Sequence, residues 1–318
     1  MDIRLTGTFR TLSPLSHIGE SISTCSYLVQ EPILQPDGSL EEVFCYSGNA
    51  WRGQLRDLCA GYMLDRLGNA RVPLDMFHLL FSGGKIGGDQ VVDIERVRTV
   101  RRAIPMLALF GGGIGNQIMP GKLRVANSYP VCREAMSVIP DKYHPQALPV
   151  SYRSLTFEKS FSRKDDTKDE RLQPHIAAAD HPLLAAPDKK KTADEVATQM
   201  RMTCELLIAG ATLCTEIEAL DVSEVELGCL VAALHRFSVS PHIGGQANKG
   251  HGRVAMDYRL LDLDSGETRD FVCISHGPAQ LSQYAAAAKD RYDIYLKDQY
   301  DALLASQQTE LRGLLGAA

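Results

Sequence analysis

The sequence predicts an α+β protein, and three features carry that prediction: strand-like alternation at its start, two widely separated amphipathic helical patterns, and apolar alternation on either side of the second. In residues 3–11, Ile3, Leu5, Gly7 and Phe9 share one face with polar groups between them, the period of a half-buried strand. After a long loop rich in Ser, Pro and Gly, residues 47–68 set Trp51, Leu55, Leu58, Cys59, Tyr62 and Leu67 at helical spacing. Ser47 or Asn49 serves as the cap and Gly68 as the stop. Trp51 and Leu55 read as core residues of that helix. Residues 75–81 and 93–109 give two further helical patterns, and around Leu123 and Val125 the chain alternates like a short strand. The glycine-rich stretch 110–121 lies between them.

Residues 203–219 read as an extended strand broken near Gly210. Asp221 and Ser223 then cap a helix through Phe237, with Val225, Leu227, Leu230, Val231 and Leu234 as its apolar stripe. A glycine-rich loop follows, then a strand over residues 254–263. Residues 279–315, rich in Ala, Leu, Tyr and alternating charge, read as largely helical.

Without insertions the order is βαββαβ, that of a ferredoxin-like palm and of RNA-recognition modules. The domain reading is a ferredoxin-like/RRM-like palm over 1–140 and 201–275 with helical insertions, a thumb-like insertion over 141–200, and a C-terminal helical tail over 276–318. The insertion is polar, of mixed charge, and without sustained periodicity.

With 318 residues, 44% hydrophobic and 23% charged, the chain has the composition of a soluble globular protein. Its longest apolar runs, residues 106–114 and 206–213, fall far short of the ~20 needed to span a bilayer. The start lacks a signal peptide's apolar region, so the expectation is a cytoplasmic protein with no membrane partner. Eight cysteines without a C-x-x-C pair read as buried thiols. A formal charge of −5 opposes nucleic-acid binding only if charge is evenly spread. Basic residues instead gather at Arg96, Arg98, Arg101 and Arg102, at Arg153, Lys159, Arg163 and Lys164, and at Lys189, Lys190 and Lys191.

The glycine-rich loops fail as nucleotide sites. The run ending Pro120-Gly121-Lys122-Leu123 has Asn116 where a phosphate loop needs its first glycine and Leu123 where it needs a hydroxyl. Gly250-His251-Gly252-Arg253-Val254-Ala255 precedes a strand, not the helix that a dinucleotide site requires. No nucleophile elbow and no paired histidine motif is present, so no catalytic residue, metal or cofactor is expected. What remains is backbone chemistry. Gly244, Gly245, Gly250 and Gly252, with Asn248, Lys249, His251 and Arg253 among them, let the chain lie close to a polyanion. Alone, the same loop also reads as a mobile turn.

It is one of four ordered motifs. Ser13-Pro14-Leu15-Ser16-His17-Ile18-Gly19 follows the first strand, and Gly48-Asn49-Ala50-Trp51-Arg52-Gly53 opens the first helix. Leu109-Phe110-Gly111 precedes Gly121-Lys122-Leu123-Arg124-Val125, and Ile243-Gly244-Gly245 leads to Gly250-His251-Gly252-Arg253. This series resembles the RAMP superfamily of CRISPR systems, and its order and spacing match the backbone subunits best. The resemblance covers most of residues 1–265. It implies a structural subunit whose copies stack helically along one guide RNA. The implied partners are guide RNA, further copies of the chain, other effector-complex subunits, target DNA or RNA paired through the guide, and a helicase in one subtype. The implied RNA contacts are His17, Asn49, Arg52, Arg56, Gly245, Asn248, Lys249, His251 and Arg253, joined by Arg153, Lys159, Arg163 and Lys164 of the insertion. The last four also read as a solvated charged loop.

Type III relatives cut target RNA with an Asp a little before the position of Pro32. Here Gln30 and Glu31 stand there, so the expectation is a non-enzymatic chain. Trp51 in the helix motif, the glycine stretch before Gly121 and the long tail resemble the type IV backbone subunit. The alternative readings are a guide-processing endoribonuclease with His17 as base, a target-cleaving subunit using Glu31, and a ferredoxin-like domain outside CRISPR systems that binds a small ligand.

Overall fold

Alternating Ile3, Leu5 and Phe9, each fully buried, place β1 (Ile3–Thr11) at the centre of the main sheet. This computed structural model describes residues 1–85, 87, 94–162 and 201–298. After β1 come two short antiparallel pairs, β2 (Ile18–Ile22) with β3 (Cys25–Leu28) and β4 (Gln30–Leu34) with β5 (Leu40–Phe44). The sequence predicts a loop here. β2 is exposed at every position, so it has no apolar alternation to detect.

The helical layer begins with α1 (Gly48–Arg66) and α2 (Leu74–Ser82). The pattern over 93–109 resolves into α3 (Ile94–Ala103) and α4 (Pro105–Phe110), because Pro105 cannot continue a helix but suits the first turn of the next. A small hairpin, β6 (Gly112–Ile114) with β7 (Gln117–Met119), leads to β8 (Leu123–Val125) and β9 (Tyr129–Pro130). Residues 131–155 run through short 3-10 turns into β10 (Thr156–Ser162). Beyond residue 200 follow β11 (Arg201–Leu207), β12 (Thr212–Ala219), α5 (Glu224–Phe237), β13 (Val254–Asp262), β14 (Thr268–Ile274), β15 (Gln280–Leu281) and α6 (Gln283–Asp298).

The main sheet runs β15-β14-β13-β1-β12-β8, with β9 also on β12 and all its pairings antiparallel. Its central order β13-β1-β12-β8 is the 4-1-3-2 arrangement of the ferredoxin-like fold, and α1 and α5 are its two crossover helices. The stretch 203–219 is two strands, not one broken strand. It turns at Gly210, and β11 joins a second sheet of order β10-β11-β3-β2.

Trp51 fastens the helices to the sheet. Its buried indole meets Phe9 and Phe237 edge-on at centroid distances of 5.3 and 5.0 Å and donates to Tyr258 Oη at 3.1 Å. Ser223 caps α5 through a capping box with Glu226, as the sequence predicts. Gly228 of α5 lies against α6, where a Cβ would fall 2.0 Å from Ala288 O. On the other face of the main sheet, β1, β12 and β13 carry Arg4, Thr6, Glu216, Glu218, Asp257 and Arg259, not the aromatic residues that stack bases in RNA-recognition modules. Lys142 reaches across that face to Thr6 Oγ1 at 2.7 Å. Of the C-terminal helix, α6 packs on the palm, with Tyr292 buried and stacked on Tyr62; residues 299–318, including Tyr300, lie outside the described residues. Among the described residues no helix is long and apolar enough to cross a membrane.

Candidate nucleic-acid interface

Three of the four sequence motifs meet at the C-terminal end of β1. Because β13 runs antiparallel to β1, Val254 stands opposite Thr11, so the loop entering β13 and the loop leaving β1 share one edge. They are laced together: Gly252 N donates to Pro14 O at 2.8 Å, Gly245 N to Ser16 O at 2.7 Å, and Arg253 N to Ser13 Oγ at 2.9 Å. Gly244 makes the approach possible. Its φ of +72° suits glycine, and a Cβ there would lie 2.2 Å from Ser16 O. Ile243 N donates to Gly252 O at 2.9 Å and closes the loop's base, so residues 247–250 project as an exposed tip around a 3-10 turn, Ala247–Lys249.

The start of α1 adjoins this loop through Gln54, whose Nε2 donates to His242 O at 2.7 Å. Its first amides are occupied from within the protein. Ser47 N donates to His17 Nε2 at 3.3 Å, and Gly48 N to Asn127 Oδ1 at 2.8 Å. His17 packs edge-on against Tyr46 at 5.0 Å, and burial lowers its pKa, so it is a neutral acceptor that holds the loop. Asn49 is exposed on the first turn.

Arg52 and Arg56 point elsewhere than the sequence suggests. Arg56 is 6% exposed and donates to Leu79 O at 3.3 Å and to Gly111 O, while Arg52 donates to Phe110 O. Both guanidiniums lie over the Phe110 ring and satisfy carbonyls at the end of α4. Arg56 is therefore a structural residue.

The second sheet supplies the rest of the site. Lys249 Nζ sits 4.2 Å from the centre of the Phe161 ring on β10, and Gln246 Nε2 donates to Cys204 Sγ on β11 at 3.5 Å. His251 is 4% exposed with Nδ1 unpartnered among the described residues; burial, then the nearby charges of Lys159 and Lys249, lower its pKa. The structure thus gathers Gly245, Lys249, His251, Arg253 and Lys159 about one loop, with Asn248 exposed at its tip. Arg153 is exposed on the 3-10 turn before β10. Arg163, Lys164 and the lysines at 189–191 lie outside the described residues.

Sequence reasoning missed Asn127 and Phe161. Asn127 gives no local signal, since its partner Gly48 is 79 positions away. Phe161 does give one: Phe157, Lys159 and Phe161 alternate in an otherwise polar stretch.

Glu31 lies on β4, where its carboxylate accepts from Asn127 Nδ2 at 2.8 and 3.1 Å and from Tyr129 Oη. An ionised carboxylate only accepts, so it turns the Asn127 amide to present Oδ1 to Gly48 N. Among the described residues no group of three or more His, Cys, Asp or Glu side chains could hold a metal ion.

The fold is a ferredoxin-like palm with a second sheet built beside it and a helix packed over its crossover helices. In that form the chain is similar to a chain of a solved structure titled "Type IV-B CRISPR Complex", with a TM-score of 0.53 and 21% identity over 80% of this chain and 90% of that one. At that identity the likeness establishes the fold. No family model matches the sequence, and no curated protein matches it.

Proposed function

We propose that this chain is a backbone subunit of a CRISPR effector ribonucleoprotein, binding guide RNA along the β1–β13 edge and lining up with copies of itself along that RNA. The observation that carries the reading is the convergence of three motifs at one sheet edge, on a palm shared with a chain of a type IV-B CRISPR complex. The glycine loop brings backbone to the surface, and Lys159, Lys249 and Arg253 supply positive charge beside it. Target DNA or RNA pairs with the guide, so the chain holds RNA by backbone and shape while base pairing selects the sequence. Other effector subunits, and in some systems a helicase, complete the assembly.

The chain acts as a scaffold, not a nuclease. Glu31 is held by Asn127 and Tyr129, and its work is to orient the start of α1. His17 already accepts from Ser47 N.

The test is expression of the chain alone, with the ultraviolet absorbance ratio and elution size recorded at low and high salt. The expected result is co-purified RNA in large assemblies that dissociate as salt rises, reduced in Lys249→Ala/Arg253→Ala. An RNA-free monomer that stays monomeric when guide RNA is added defeats the reading. Metal-dependent cutting of paired RNA, abolished by Glu31→Ala, would show a nuclease instead.

A further inference from the structure

We propose that Phe161 is a stacking platform for an unpaired nucleobase, covered by Lys249 until nucleic acid arrives; this rests on the RNA-binding reading of the same loop. Phe157, Lys159 and Phe161 occupy alternate positions of β10 and therefore share one face. Their cross-strand partners on β11 are Leu206, Cys204 and Met202. Cys204 fixes the direction of that face, because it receives the hydrogen bond from Gln246 of the glycine loop. The aromatic-lysine-aromatic row thus looks toward the loop tip.

The exposures along that row are not those of a core. Phe157 is 36% exposed, Lys159 is exposed, and Phe161 is only half-buried, with the Lys249 ammonium 4.2 Å above its ring. Lysines beside aromatic faces along a groove are the elements with which proteins hold single-stranded nucleic acid: cations follow the phosphates and rings receive the bases. Lys249 serves both states. In the free protein its charge rests on the ring quadrupole, a weak contact at an exposed site. When a strand lies along the loop, the ammonium moves to a phosphate oxygen and a base takes its place on the ring. Stacking accepts any base, as suits a subunit that holds guides of different sequence.

The experiment uses the full chain and two fluorescein-labelled single-stranded RNAs of equal length, one with bases and one with abasic sugars throughout. Binding is read by fluorescence anisotropy over a range of salt. Phe161→Leu is expected to weaken binding of the base-bearing RNA about tenfold and leave the abasic strand unchanged. Phe161→Trp is expected to restore affinity, and its added tryptophan to be quenched by the base-bearing strand alone. Lys249→Ala is expected to weaken both strands and lower the salt slope by about 0.7, as one lost phosphate contact should. The proposal is overturned if wild type binds RNA and Phe161→Leu binds the base-bearing strand as tightly as wild type does, or if Phe161→Leu weakens both strands to the same degree. If wild type binds neither strand, the RNA-binding reading fails first and takes this one with it.

Discussion

Tyr258 shows how one polar atom can set the geometry of a core. Its buried hydroxyl accepts from Trp51 Nε1 at 3.1 Å and lies 3.0 Å from Thr215 Oγ1, so a helix residue and two strand residues share one oxygen. Tyr258→Phe removes that oxygen and leaves both partners buried without it, which should lower unfolding stability by about 1–3 kcal/mol in chemical denaturation. Arg56 makes a parallel case. Spaced four residues from Arg52, it lies on the same helix face, and that much was legible in the sequence. What the face meets was not, because the Gly111 carbonyl is 55 positions away. Arg56→Ala should lower the unfolding free energy in chemical denaturation by an amount typical of a lost buried charge-assisted hydrogen bond, about 1.5–3 kcal/mol, whereas a phosphate ligand would change the salt dependence of RNA binding instead.

At the scale of elements, legibility followed burial. β1, α1 and β13 each bury mainly one side, so their apolar period announced them; α5 is buried all round over 226–234, and there the Ser223–Glu226 capping box marked its start by local chemistry alone. β2 is exposed throughout and β3 is mostly half-buried, and the parallel pairing of β3 with β11 joins Cys25 to Thr203, far apart in sequence and beyond the reach of any local pattern. The glycine loop was visible as a loop, but its lacing to residues 13–16 was not. Packing between elements gives two further tests. Gly228→Ala would place a methyl group against Ala288 O where α5 meets α6 and should cost about 1–3 kcal/mol, as overpacking does. Glu134 ties residues 131–152 together by accepting from Ser151 Oγ and Tyr152 N, each at 2.7 Å. Burial pushes its pKa up, but these hydrogen bonds outweigh burial and hold it below the ordinary carboxylate value. A carboxylate with a depressed folded-state pKa stabilises the fold above its unfolded-state value, and that contribution is lost as pH falls through the folded-state value. Wild type should therefore lose its advantage over Glu134→Gln on acidification, with the two denaturation midpoints converging; a constant gap would assign Glu134 no such role.

Over the whole molecule, 34 basic and 39 acidic residues give −5, a balance that argues against RNA until their placement is seen. Much of the charge is paired internally: Arg4 with Glu216 and Glu218 on the open sheet face, Lys122 with Glu226, and Arg66 and Lys289 with Asp293. Among the described residues no ion pair includes Lys159, Lys249 or Arg253, so the positive charge beside the glycine loop is not neutralised by a partner within the protein. The sheet face where RNA-recognition modules stack bases carries the Arg4 pairings and the crossing Lys142 instead, so the proposed site is not the one that the fold alone suggests. Counterion release makes the distinction measurable. Each phosphate contact on a single strand contributes about 0.7 to the slope of log affinity against log salt, so Lys249→Ala/Arg253→Ala should reduce that slope by about 1.4. Arg4→Ala, which removes an equally formal charge from the paired face, should leave it unchanged. If both variants shift the slope alike, RNA is responding to net charge and not to the loop; if only the Arg4 variant shifts it, the strand lies on the sheet.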